Sequence, residues 1–210
     1  VTDRSPIWIG LADLLLCVVS VVIVAVNPHA RSDAVPQKAE YLLTSDWSVD
    51  VDADVDVWLV PPSKKPVMFA SRDGGCAKLD SDTRGFMDSI IHLADGSTVK
   101  VLTNKETVSL RCIEPGRYDL AVNLYAYRTD GQSAEGKHGL SLPVEVEVIG
   151  VNPSVHTVYQ HRVVLDHVGD TVNVVSFDLA PDGSLRLVDP PLRPVTDDYL
   201  SNGSLRAHRP

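Results

Sequence analysis

The 210 residues carry 28 acidic side chains against 19 Lys and Arg, a formal charge of -9, with no basic cluster larger than Lys64-Lys65. That balance excludes a nucleic-acid footprint and a patch for anionic lipid. A chain of this length holds one sizeable core or two small ones.

The first predicted element is a transmembrane helix. From Ile7 to Val26 the only ionisable side chains are Asp13 and Cys17. At ~1.5 Å per residue this run crosses a ~30 Å hydrocarbon core. Trp8 stands at one edge, where interfacial aromatics sit, and Asn27-Pro28 ends the other. An acid facing lipid in mid-bilayer costs about 2.5 to 3.5 kcal/mol, so Asp13 is expected to face protein or water. On a helical wheel Asp13, Cys17, Ser20, Val24 and Asn27 share one side, and Leu11, Leu15, Val18, Val22 and Val26 the other. The first side suits close helix packing, the second lipid or a hydrophobic wall. Asp13 then reads either as a hydrogen-bonding residue that joins helices or as a proton carrier. A carboxyl in hydrocarbon is favoured in its neutral form and ionises when offered a polar partner or water.

The aspartate early in "GLADLLLCVVSVVIVAVNP", the Leu/Val/Ile run after it and Pro28 beyond it resemble the single-pass subunit of the proton-driven motor family that includes ExbD, TolR and MotB. The likeness covers about the first 28 residues. It implies Asp13 as the proton-accepting residue on two copies of this helix, a homodimer, inside a ring of a multi-pass partner of the ExbB/TolQ/MotA kind, expected as a pentamer. It also implies a bacterial inner-membrane location, N-terminus cytoplasmic and the bulk of the chain periplasmic. Residues 1–28 are thus expected as cytoplasmic tail and span, and residues 29–38, which lack periodicity and contain Pro36, as a linker.

Beyond the linker, short apolar or alternating runs recur: "EYLLTSDW", "DVDVWLV", "PVMFA", "STVKVLT", "TVSLRCI", "RYDLAVNLYAY", "LPVEVEVIG", "TVYQHRVVL", "TVNVVSFDLA" and "SLRLVD". Turn-rich separators such as "PPSKKP", "RDGG", "EPG" and "APDG" lie between them. The expected fold class is all-β: one N-terminal transmembrane helix followed by an Ig-like or jelly-roll β-sandwich over residues 39–190. In "TVSLRCI" and "RYDLAVNLYAY" the alternation places Val108, Leu110 and Cys112, then Tyr118, Leu120, Val122, Leu124 and Ala126, on buried faces. Cys112 is then a small core residue or the partner of Cys76 in a disulfide, if the domain faces an oxidising compartment. The connection 71–106 is the least regular part, with one short helix predicted around "DTRGFMDSIIHLA".

In "DWSVDVDADVDVWLV", Asp50, Asp52, Asp54 and Asp56 alternate with small or apolar residues, so on a strand all four carboxylates share one face. The face is a solvated acidic surface or a calcium site. It is not an EF-hand, because the glycine at position 6 and the glutamate at position 12 of that loop are absent. With "PPSKKPVMFASRDGG" and "LDSDTRG" after it, the stretch is similar to bacterial Ig-like modules built around a D-x-D-[LV]-W core, departing from them at "PPSKKP".

Residues 191–210 are Pro-rich and polar and are expected as a disordered tail. G-x-S-x-G, H-E-x-x-H and C-x-x-C are all absent, and the seven histidines lack ligand spacing, so no enzyme is expected. Neither the OmpA-like domain of MotB nor the small α/β domain of ExbD and TolR fits these strand patterns. Beyond the coupling proton and the calcium alternative, no cofactor is expected. The function expected is that of a motor subunit in which the sandwich transmits force. The alternative is a membrane-tethered Ig-like binding module with Asp13 purely structural.

Overall fold

The computed structural model describes residues 13–19, 38–88, 90–101, 103–129, 132–133 and 138–200. The chain divides into two units, Val1–Gln37 and Lys38–Pro210. In the first, residues 13–19 are helical and exposed throughout. Among the described residues no helix is long and apolar enough to cross a membrane. The rest of the segment read as a span, residues 7–12 and 20–26, lies outside the described residues, as do Ser20, Val24 and Asn27.

The second unit is built of antiparallel sheets. One has the order β10-β9-β1-β6-β3: β1 (Tyr41–Trp47), β3 (Ala77–Ser81), β6 (Lys105–Leu110), β9 (His138–Gly150) and β10 (His156–His167). The other, β12-β11-β7-β2, consists of β2 (Asp52–Val60), β7 (Gly116–Thr129), β11 (Thr171–Leu179) and β12 (Leu185–Val188), with β8 (Gln132–Ser133) paired to β7. A separate hairpin pairs β4 (Ile90–His92) with β5 (Thr98–Lys100).

Period-2 alternation puts one face of each sheet into a shared core. Leu43, Val108, Leu110, Val144, Val146 and Val148 come from the first sheet, and Val55, Val57, Leu59, Leu120, Val122, Leu124 and Phe177 from the second. Each such side chain contributes about 1.5 to 3 kcal/mol on full burial. Tyr118 stacks on Phe177 with ring centroids 5.0 Å apart. Its phenol donates to the Glu114 carbonyl at 2.9 Å, a tyrosine corner that fixes the entry of β7, and burial pushes its pKa upward. Two residues earlier the corner needs Gly116: its φ is +134°, and a Cβ there would lie 2.9 Å from the Pro62 ring.

Several elements differ from the sequence expectation. β6 ends at Leu110, so Cys112 sits beyond the strand and is exposed rather than inward-facing. Cys76 and Cys112 form a disulfide with Cα atoms 5.0 Å apart, extending the β3–β6 ladder where Arg111 N donates to Cys76 O. "PVMFA" makes only isolated bridges, Leu59 with Val67 and Met68 with Ser71. In place of a helix around residues 82–94 there is a 3-10 turn, Gly85–Asp88, leading into β4. The positive φ of Gly85 and the β-branched Ile90-Ile91 pair oppose a continuous helix.

The tail expectation is corrected for residues 191–200. The Asn173 side chain donates to the Pro191 and Arg193 carbonyls and accepts from Val195 N, and Asp197–Leu200 forms a helical turn. Val195 and Tyr199 pack with Trp58, Val60, Met68 and Ala121 into a second apolar cluster on the outer side of β2 and β7. Two apolar side chains and three anchoring hydrogen bonds outweigh the disorder that the Pro-rich composition favours. Residues 201–210 lie outside the described residues.

Candidate functional site

Two places in the chain carry candidate chemistry. The first is the helical stretch 13–19, in which Asp13 is followed by apolar side chains open to their surroundings, Leu14 at 63% and Leu16 at 70% exposure among them. One turn on from Asp13, Cys17 is a free, exposed thiol.

The second lies where the open edge of β2 meets β6. β2 is buried on both faces: Ala53, Val55, Val57 and Leu59 enter the main core, while Asp54, Asp56, Trp58 and Val60 occupy the opposite face. The segment after β3 packs onto this strand. Phe86 N donates to Asp52 Oδ1 at 3.0 Å, and a Cβ on Gly85 would come within 2.6 Å of that oxygen and 2.8 Å of Ala53 O. Gly85 is thus required for the close approach.

The four aspartates of the sequence pattern separate into two settings. Asp50 is exposed in the β1–β2 turn, and Asp52 forms an ion pair with Arg128 at 3.3 Å. These two line an open depression of about 400 Å³ together with Phe86, Tyr127 and Arg128. Asp54 and Asp56 are instead buried, and they meet Glu106 of β6. One carboxylate oxygen from each of the three lies within 4.8 Å of the other two.

Glu106 comes from the other sheet. It falls on the same face of β6 as Val108 and Leu110, and its Oε2 accepts from Val57 N at 2.7 Å, satisfying a backbone donor on the open edge of β2. Glu106 is 1% exposed and Asp56 2%. Glu106 Oε1 and Asp56 Oδ2 have no hydrogen-bond partner among the described residues. Ser45 stands directly opposite Glu106 in the β1–β6 ladder, is 0% exposed, and its hydroxyl is likewise without a partner there.

Burial pushes the Asp56 carboxyl well above the usual carboxylate range, and the charges of Asp54 and Asp82 add to this. Glu106 is also raised well above its usual value, by burial first and then by Asp56, with the Val57 N–H acting in the opposite direction. Three cations on the neighbouring segments are held by other acids: Arg72 by Asp82 at 3.2 Å, Lys105 by Asp46 at 2.8 Å, and Arg128 by Asp52. Neither Asp56 nor Glu106 has an ion-pair partner among the described residues. Such a cluster can take up protons or take up a hard cation that oxygen ligands suit.

Sequence reasoning found Asp54 and Asp56 but grouped them with Asp50 and Asp52, and it missed Glu106 and Ser45. The available signal was parity. In "KETVSL" Glu106 occupies an inward position with Val108 and Leu110, and in "YLLTSDW" Ser45 does so with Leu43 and Trp47. No protein-family model, curated protein or solved structure matches this chain.

Proposed function

We propose that the chain is the single-pass, B-type subunit of a proton-driven membrane motor. In this reading, two copies of the N-terminal helix sit inside a multi-pass ring partner in the inner membrane. Asp13 carries protons at the interface with that partner, and the β-sandwich, outside the membrane, transmits the resulting displacement. The observation that carries the proposal is the helical stretch 13–19, with one carboxyl at its head and exposed Leu and Val side chains after it. Moving one charge through the membrane potential is worth ~2.3 kcal/mol per 100 mV, enough for a few protons to bias a two-state protein. The Cys76–Cys112 disulfide supports placing the sandwich in an oxidising, extracytoplasmic compartment.

The test is extraction of the full chain from its native membrane in mild detergent, followed by proton uptake in vesicles containing the recovered complex. A stoichiometric multi-pass companion should copurify, and Asp13→Asn should lower uptake roughly tenfold or more, since the carrier itself is lost. Uptake unchanged in Asp13→Asn sinks the proposal. A second reading, a membrane-tethered Ig-like binding module with Asp13 merely joining helices, draws on the tyrosine corner at Tyr118, a device of Ig-like sandwiches. Its mark is purification without a companion.

A further inference from the structure

We propose that Asp54, Asp56 and Glu106, with the Ser45 hydroxyl beside them, form a calcium site that ties the open edge of β2 to β6 and so joins the two sheets at that corner. The inference concerns the sandwich alone and does not depend on the motor reading.

Three observations carry it. Carboxylate oxygens from Asp54, Asp56 and Glu106 converge within 4.8 Å of one another, a span that a cation with oxygen ligands at about 2.3–2.6 Å bridges when ligands face each other across it. Magnesium, at about 2.0–2.1 Å and with a demand for retained waters, fits a wider, wetter site better than this buried one. Next, Asp56 Oδ2, Glu106 Oε1 and Ser45 Oγ are buried oxygens with no hydrogen-bond partner among the described residues. An unpartnered buried acceptor is costly, and a cation satisfies several of them together. Finally, Arg72, Lys105 and Arg128 are engaged by Asp82, Asp46 and Asp52. Asp56 and Glu106 are thus left without a cation partner among the described residues.

The ligand set differs from the one the sequence pattern suggests. Asp52 is occupied by Arg128 and Phe86 N, and Asp50 is exposed in the turn before β2. The site therefore joins residues from two sheets instead of lying along one strand, and calcium binding should stabilise the packed sandwich as a whole. Ligation requires the carboxylates, so calcium displaces whatever protons they hold.

The experiment is thermal unfolding of the full chain in detergent at neutral pH, in calcium, in magnesium and in a calcium chelator. With calcium about a hundredfold above its dissociation constant, the midpoint of the sandwich transition should rise by roughly 5–10 °C, and by less in magnesium. Asp56→Asn and Glu106→Gln should each abolish the rise, while Asp50→Asn should keep it in full. Glu106→Gln should also raise the midpoint measured in chelator, because it removes one buried charge from a crowded cluster. A variant that merely failed to fold would instead lower that midpoint. Absence of a calcium shift in the unaltered chain overturns the proposal and leaves the cluster as a set of shared protons. A shift that survives both Asp56→Asn and Glu106→Gln, or one lost in Asp50→Asn, also overturns it by placing the ion elsewhere.

Discussion

Two buried aspartates on neighbouring strands of one sheet meet opposite fates. Asp119 on β7 accepts from Arg117 Nε at 2.8 Å and from Ser176 Oγ at 2.5 Å, so its charge is met by a cation and a hydroxyl. On β2, Asp56 has like charges for neighbours and an oxygen without a partner among the described residues. Burial is similar, 8% exposure against 2%, so burial does not distinguish them. What differs is the company each keeps. At the β7–β11 seam the buried acid is paired within the chain, whereas at the β2–β6 corner Asp56 and Glu106 have no ion-pair partner among the described residues.

The largest expected effect tests whether these two regions are independent. Replacing Cys76 and Cys112 by Ser opens a loop of 36 residues and should lower unfolding stability by about 3–4 kcal/mol, measured by denaturant titration. The loss should be equal in calcium and in chelator. A loss confined to calcium would mean that the covalent tie holds Glu106 in place and that the corner is not a separate entity.

Next in size is Asp119→Ala, which strands a buried Ser176 hydroxyl and leaves Arg117 with only its bond to the Asp189 carbonyl among those described. It should cost about 2–3 kcal/mol in calcium and in chelator alike. If Asp119→Ala were instead neutral, the contrast between a completed and an uncompleted acid would collapse.

The smallest effect is a slope with pH. Asp56 and Glu106 have folded-state pKa values raised above their unfolded ones, so the native state binds more protons than the unfolded chain between the two. Stability from this source is fully present below about pH 4 and is lost as pH rises through the raised values. The groups facing the pair are Asp54 and Asp82, with Arg72 held by Asp82 and Arg128 by Asp52, and none of these reverses the sign. In chelator, the unfolding midpoint should therefore fall as pH is raised from about 5 to 8, and calcium should flatten that fall. A midpoint rising over this range without calcium would contradict the assignment.

Much of the sandwich is legible in the sequence, because alternation and turn residues report the same strands. The runs containing Leu43, Val57, Val122, Val146 and Phe177 all become core strands. β3 escapes because "AKLDS" offers only Ala77 and Leu79 as apolar positions. The docked stretch 191–200 escapes because its partners, Asn173 and Trp58, are remote in sequence. The corner is half legible for the same reason. Alternation reveals that Asp54 and Asp56 share a face, but not that this face is covered, and Glu106 lies some 50 residues away on another sheet.

The position of β1 has a mechanical consequence. This first strand after residue 38 lies inside its sheet, laddered to β9 from Tyr41 to Trp47 and to β6 from Tyr41 to Asp46. A pull on β1 along its length shears both ladders at once instead of unzipping one bond at a time. Should the sheets part, the disulfide still withholds its 36-residue loop, about 120 Å of extended chain, from the tension. The sandwich thereby resists a load applied along β1 by shear, and the disulfide limits the length it releases on yielding.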